Sequence, residues 1–351
     1  MCIYFIDKQD LHYDSADHII PAGLGGIKKL PLEYVSREFN TLSSKFEKSL
    51  MRTSIISMPR QILGPGKRGS LNPNKATKSS VSVFRQHPGN DSFSLGYIQV
   101  GKPFEIPHIV LNSETGAFTV GLNKESTETD LQVFKRQLTE FDNLRVKMIK
   151  FQDLDPNTFL LGIKSNVEDN FDCFIASKDG ETHPFNNKAL EEIAKMINDR
   201  STFSGTMKYK VKTHQNALIG DDYYKCCAKI GFNCLAHLKG QDFVLREDFN
   251  PLRNWIVNGG ENNFVSISPN HDSVIQKMYP EDSHQVIITK MENTLIADIC
   301  FYNHFHNLIR LADNFFEPFH LDGFICDWKG KKEFTYYEYM TTFVKANQGA
   351  Y

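Results

Sequence analysis

The chain has 351 residues, 40% hydrophobic, 23% charged and 12% aromatic; this is more than one typical domain, in a globular composition that excludes wholesale disorder and collagen-like structure. No stretch nears the roughly 18 consecutive apolar residues of a membrane helix, and the opening Met1-Cys2-Ile3-Tyr4-Phe5-Ile6-Asp7 has no basic region, so neither a membrane span nor a signal peptide is expected. The net charge of −2 hides an asymmetry: residues 1–80 hold twelve Lys/Arg against seven Asp/Glu, net +5, and the rest is net −7, which puts any polyanion contact at the front of the chain.

In chain order, residues 1–63 are dense in motifs. The stretch from Gly64 to Ser80, rich in Gly, Pro, Ser and Asn with four positive charges, reads as a loop or linker. From 81 to about 180 the pattern is mostly strand-like. His108–Leu111 and Ala117–Gly121 flank a hairpin-type Asn112–Gly116. Leu131, Phe134, Leu138 and Phe141 predict an amphipathic helix over 127–142. Residues 146–151 and 158–163 read as a strand pair around the Asp155-Pro156-Asn157 turn. Helices follow at 187–199 and between Gly220 and Gly240, then strands at 262–268, 285–291, 295–301 and 333–338. The class is α+β, divided as a 1–70 module and a 71–351 body with a subdomain break near 180–205. The seven scattered cysteines read as reduced thiols of a cytoplasmic protein.

The informative segment is Ser15-Ala16-Asp17-His18-Ile19-Ile20-Pro21-Ala22-Gly23-Leu24-Gly25-Gly26, followed by Val35-Ser36-Arg37-Glu38-Phe39-Asn40 and Ser44-Lys45-Phe46-Glu47. Asp17 sets a hard oxygen ligand beside the His18 imidazole. Gly23, Gly25 and Gly26 permit close backbone approach to a polyanion, or positive φ in a tight loop. Asn40 offers a neutral oxygen to a divalent cation. Such groups, if convergent, suit a one-metal phosphodiesterase: the cation stabilises charge on the phosphate while the imidazole takes a proton from water. Singly, an Asp-His pair is more often a structural hydrogen bond, and an Asn near a helix start a cap.

This ordered set resembles the HNH endonuclease superfamily, whose core is the ββα-metal, treble-clef-like fold. More narrowly it resembles a bacterial subgroup running Cys-x-x-Cys, Asp/Glu-His-Ile-Ile-Pro, Leu-Gly-Gly, Val-Cys-x-x-Cys-Asn, a Glu-bearing helix, then Arg and Gly-Lys-Arg-Gly. Glu47, Arg60 and Gly66-Lys67-Arg68-Gly69 fall in that order, and the resemblance covers about residues 1–70. A weaker likeness joins Lys229-Ile230-Gly231-Phe232-Asn233 and Phe249-Asn250-Pro251-Leu252-Arg253 to the C-terminal body of stand-alone members, with no chemistry assigned.

The resemblance implies His18 as general base, Asp17 and Asn40 as metal ligands, Glu47 as a metal-facing or supporting carboxylate, and Lys45, Arg60, Lys67 and Arg68 as nucleic-acid contacts. It implies magnesium or manganese, given oxygen ligation, a nucleic-acid substrate with DNA ahead of RNA, products with 3′-hydroxyl and 5′-phosphate ends, and work in anti-phage defence or restriction, alone, as a homo-oligomer or with a partner protein. Two departures stand out. Of four zinc thiolates only Cys2 remains, with Phe5, Ser36 and Phe39 in the other places, so an apolar mini-core is expected where relatives hold structural zinc. The middle Asn of the motif is also missing, leaving Glu33 or a backbone carbonyl to orient the base.

Elsewhere, Cys226, Cys227, Cys234 and His237 read better as core than as a metal cluster. His304 and His306 fall on one side of a strand if the strand from 295 continues. Trp255, Tyr336 and Tyr337 suit base stacking or ordinary burial equally. Two rival functions stay open: a catalytically degenerate nucleic-acid-binding or assembly protein with the module as scaffold, and a nuclease effector gated by a ligand in the body.

Overall fold

A computed structural model of the chain describes residues 1–72, 75–85, 92–122, 127–165, 171–197, 217–268 and 278–347. It is mixed α+β and divides into two compact units. One joins residues 1–77 to 216–351; the other, 78–215, is inserted between them in sequence. These units differ from the expected 1–70 and 71–351 division, because the N-terminal segment packs with the C-terminal one. Ile3, Tyr4, Phe39, Phe46 and Leu50 share one core with Tyr223, Phe232, Leu252 and Phe324.

In the first unit, residues 17–19 and 28–30 form two short antiparallel arms. Ile19 N donates to Lys28 O at 3.1 Å and Leu30 N to Asp17 O at 2.8 Å, with His18 and Lys29 paired between them. The connecting chain turns through a 3₁₀ segment, Ala22–Leu24, into Gly25 at φ +91°. A Cβ on Gly26 would lie 1.7 Å from Ile20 O. The Leu-Gly-Gly motif is therefore a requirement of tight reversal and packing.

The helix Arg37–Arg52 follows. Ser36 caps it, its hydroxyl accepting from Phe39 N at 3.3 Å, and Phe39, Ser43, Phe46 and Leu50 form the buried stripe. Asn40 is thus inside the first turn and is not the cap. The helix packs against Asp221–Lys239, which is buried on nearly all sides. That second helix crosses a six-stranded antiparallel sheet, in the order Lys332–Thr335, Asp322–Asp327, His284–Met291, Thr294–Phe301, Phe305–Ala312, Val265–Ile267. Gly231 faces the sheet, where a Cβ would sit 3.3 Å from that of Ala297. Leu295, Ala297 and Ile299 alternate onto the covered face.

The inserted unit has a five-stranded sheet in the order Phe118–Gly121, His108–Asn112, Thr158–Ser165, Phe171–Ser177, Arg145–Lys150, and a three-stranded sheet of Ser82–Arg85, Phe93–Gln99 and Lys102–Glu105. Helices Glu128–Thr139 and Asn187–Met196 bury Leu131, Phe134, Leu138, Leu190 and Ile193 against Leu161, Ile163 and Ile175. Opposite-facing Leu160 and Ala176 pack with Val83 and Leu95.

Three expectations change. The strands near 146–151 and 158–163 do not pair, because Phe171–Ser177 lies between them and runs parallel to Arg145–Lys150. The strand from 294 ends at Phe301 and turns, so His304 is in a turn and His306 on the next strand. The segment after 335 is a helix, Tyr336–Asn347.

Candidate active site

The aspartate–histidine pair sits where the first arm meets the two central helices. Asp17 is buried, 8% exposed, and each of its oxygens has a fixed role. Oδ1 accepts the His18 backbone N–H at 3.0 Å. Oδ2 accepts from Asn233 Nδ2 at 2.8 Å and pairs with Lys229 Nζ at 2.8 Å. The same ammonium donates to Glu47 Oε1 at 2.7 Å. Asn233 also donates to His18 O at 2.9 Å, and its own oxygen accepts from Tyr4 OH at 2.7 Å. The cluster thus joins the N-terminal segment, the first arm and both helices through polar bonds.

Helix geometry explains how one element serves two positions. Asn40 and Glu47 are seven residues apart, two turns, and share a face of Arg37–Arg52. Glu47 reaches Lys229, while Asn40 Nδ2 contacts Ser15 O and Ser15 Oγ, both at 3.4 Å. Asn40 is therefore fixed against the loop that leads into Asp17. Its side-chain oxygen is shielded from solvent and receives no hydrogen bond among the described residues. A shielded carbonyl oxygen without a donor is an acceptor that suits a hard cation. Asp17 Oδ1 keeps acceptor capacity beyond the His18 N–H, so the two side chains supply oxygen donors of the type magnesium or manganese takes, although among the described residues no group of three His, Cys, Asp or Glu side chains is placed to hold a metal ion.

Burial, and then the nearby Lys29 cation, hold the His18 pKa below the ordinary histidine value, with Asp17 and Glu47 opposing. The imidazole is neutral near pH 7, the state a general base needs. Lys229 is shifted upward: its two carboxylate partners outweigh the burial that would discharge it.

The other predicted residues divide. Lys67 and Arg68 are exposed in a 3₁₀ turn, Arg68 with left-handed backbone. Lys45 is exposed and turned off the Asn40–Glu47 face toward Asp222, at 3.6 Å. Arg60 departs from the expected phosphate contact. It is buried, and its guanidinium donates to Gly23 O at 2.7 Å and Gly66 O at 3.2 Å, tying two loops together. Glu33 does not orient the base; its side chain is exposed and its carbonyl accepts from Gln241. Positions 2, 5, 36 and 39 do converge: Ser36 N donates to Cys2 Sγ at 3.5 Å, and Phe5 meets Phe39 edge-on at 5.7 Å, with Tyr4 stacked on Phe39 at 3.6 Å. Cys226, Cys227 and Cys234 are buried core residues, and His237 meets the Phe324 ring edge-on. Trp255 is buried, and Tyr337 is exposed.

Lys229 and Asn233 belong to the segment of weaker C-terminal likeness, to which no chemistry is assigned. Their signal is a polar pair four apart, hence on one face, within the apolar middle of the helix, residues 226–236. Arg253 of the companion segment is buried too, donating to Ile3 O at 2.8 Å and to Val244 O. No protein-family model, curated protein or solved structure matches the chain.

Proposed function

We propose that this protein is a metal-dependent HNH-type endonuclease that hydrolyses phosphodiester bonds of nucleic acid, DNA ahead of RNA, with a role in bacterial anti-phage defence or restriction. One observation carries the reading. Two antiparallel arms and a following helix, in that order, hold Asp17, His18 and Asn40 beside the same loop, and the Asn40 oxygen has no hydrogen-bond donor among the described residues.

Asp17 and Asn40 would hold magnesium or manganese, which when bound offsets charge developing on the phosphate and leaving oxygen. His18, neutral and half-buried, takes the proton of the attacking water. Asn233 holds the His18 backbone and the Asp17 carboxylate in one frame. Exposed Lys29, paired through its backbone with His18, joins Lys67 and Arg68 as cations for the sugar-phosphate strand. The apolar contact of Phe5 with Phe39 stands in this reading where relatives hold zinc.

The test is incubation with supercoiled plasmid or single-stranded RNA and either metal, with and without EDTA. Nicked and linear products bearing 5′-phosphates, formed only with metal, are expected. No metal-dependent cleavage of either polymer contradicts the proposal. The second reading, a catalytically silent nucleic-acid-binding or assembly protein, draws on the ammonium that already occupies Asp17 Oδ2. Binding without cleavage, unchanged in Asp17→Asn, selects it.

A further inference from the structure

Two carboxylates and one ammonium meet in the candidate site, and the ammonium is the most buried of the three: the Lys229 side chain is 1% exposed, against 9% for Asp17 and 24% for Glu47. Its helix has no room to draw back, since Ile230 and Phe232 are core residues and Gly231 lies against the sheet. Asp17 Oδ2 is taken by two donors, Lys229 Nζ and Asn233 Nδ2, each at 2.8 Å. Among the described residues Oδ1 accepts the His18 N–H. The acceptor capacity that Asp17 would offer a divalent ion is therefore that of Oδ1, while Glu47 is already tied to the ammonium at 2.7 Å.

We propose that Lys229 is the built-in counter-ion of this site, a positioning residue that binds Asp17 Oδ2 and Glu47 permanently, keeps Glu47 out of metal coordination and limits the site to one weakly held divalent ion. The proposal rests on the nuclease reading for the identity of the metal ligands. The local formal charge explains the effect. With Lys229 the two carboxylates and the ammonium sum to −1; without it the same pocket is −2, with Glu47 released to coordinate. A fixed cation beside a divalent one opposes its binding.

The test is Mn²⁺ binding, read by electron paramagnetic resonance of the free ion, on the full chain with no nucleic acid present. The account predicts that Lys229→Met binds Mn²⁺ at least about tenfold more tightly than wild type or takes a second ion. Lys229→Arg returns toward wild type, and Glu47→Gln added to Lys229→Met removes the gain. A merely structural lysine would lower stability and leave affinity equal or weaker. A folded Lys229→Met that binds as wild type does, or more weakly, overturns the proposal. Should Lys229→Met not fold, Glu47→Gln alone decides: a change in Kd under about threefold supports it, and a loss equal to that of Asp17→Asn overturns it.

The nuclease reading fails separately. If wild type binds no Mn²⁺ but Lys229→Met does, the counter-ion stands and the nuclease reading falls. If wild type binds in an Asp17-dependent way and Lys229→Met is unchanged, the reverse holds. No binding by wild type or any variant overturns both.

Discussion

Replacing Lys229 with methionine strips the shared partner from two carboxylates in a buried setting. Breaking such a pair leaves uncompensated charge, so Lys229→Met should lose about 3–5 kcal/mol in urea denaturation, and Lys229→Met with Glu47→Leu should lose less than the single change. A loss below about 1 kcal/mol would mean that the ammonium is not held as the geometry has it. His284 gives a separate handle. It is fully buried, its Nδ1 accepts from Tyr302 N at 3.2 Å, and burial pushes its pKa down to about 3. The unfolded histidine takes its proton near pH 6.5, so between there and about pH 3 the unfolded state binds the extra proton. The contribution is present above pH 6.5 and is lost as pH falls, by about 1.4 kcal/mol per unit. His284→Phe should flatten the stability–pH curve in that window by that slope; an unchanged curve would refute the assignment. At this scale the order of Asp17, His18 and Asn40 along the chain marks them as candidates. The sequence concealed Lys229, because more than two hundred residues separate it from Asp17 and a lysine in a helix ordinarily marks a solvated face.

The hairpin-like element that carries the pair depends on its glycines. Gly26→Ala would set a Cβ 1.7 Å from a backbone carbonyl, and Gly25→Ala combines φ +91° with a Cβ 2.4 Å from that of Trp328. Each should cost about 2–4 kcal/mol in thermal or chemical unfolding, whereas Gly116→Ala, with open space around it, should cost only its backbone strain. Equal effects at Gly26 and Gly116 would contradict the packing described. The helices were legible where local chemistry marks both ends and a stripe between: Thr127 and Asp130 form a capping box at the start of Glu128–Thr139, and Gly240 follows Lys239. Strand pairing was less legible. Neighbouring strands pair by default, but Arg145–Lys150 and Thr158–Ser165 are separated by Phe171–Ser177, a choice made by the two-sided core and not by the turn at Asp155-Pro156-Asn157.

For the whole molecule, composition marks a loop or linker over 64–80, and the unit boundary at Thr77 and Lys78 falls within it. What composition could not reveal is that the chain returns: Tyr4 bonds Asn233, Arg253 bonds Ile3 O, and Glu333 accepts from Ile27 N and Lys28 N. Long-range closure of this kind leaves no local pattern. Residues 1–77 expressed alone should consequently be unfolded by circular dichroism and hydrogen exchange, since so small a piece lacks its core partners; a cooperatively folded fragment would contradict the shared core. The central claim is that His18 acts as the base of a nuclease. The most direct measurement is the metal-dependent nicking rate of supercoiled plasmid by wild type and by His18→Ala, both shown to be folded. The account predicts a fall of about 10²–10⁴-fold with nucleic-acid affinity retained; equal rates from both proteins, or no cleavage by either, would contradict it.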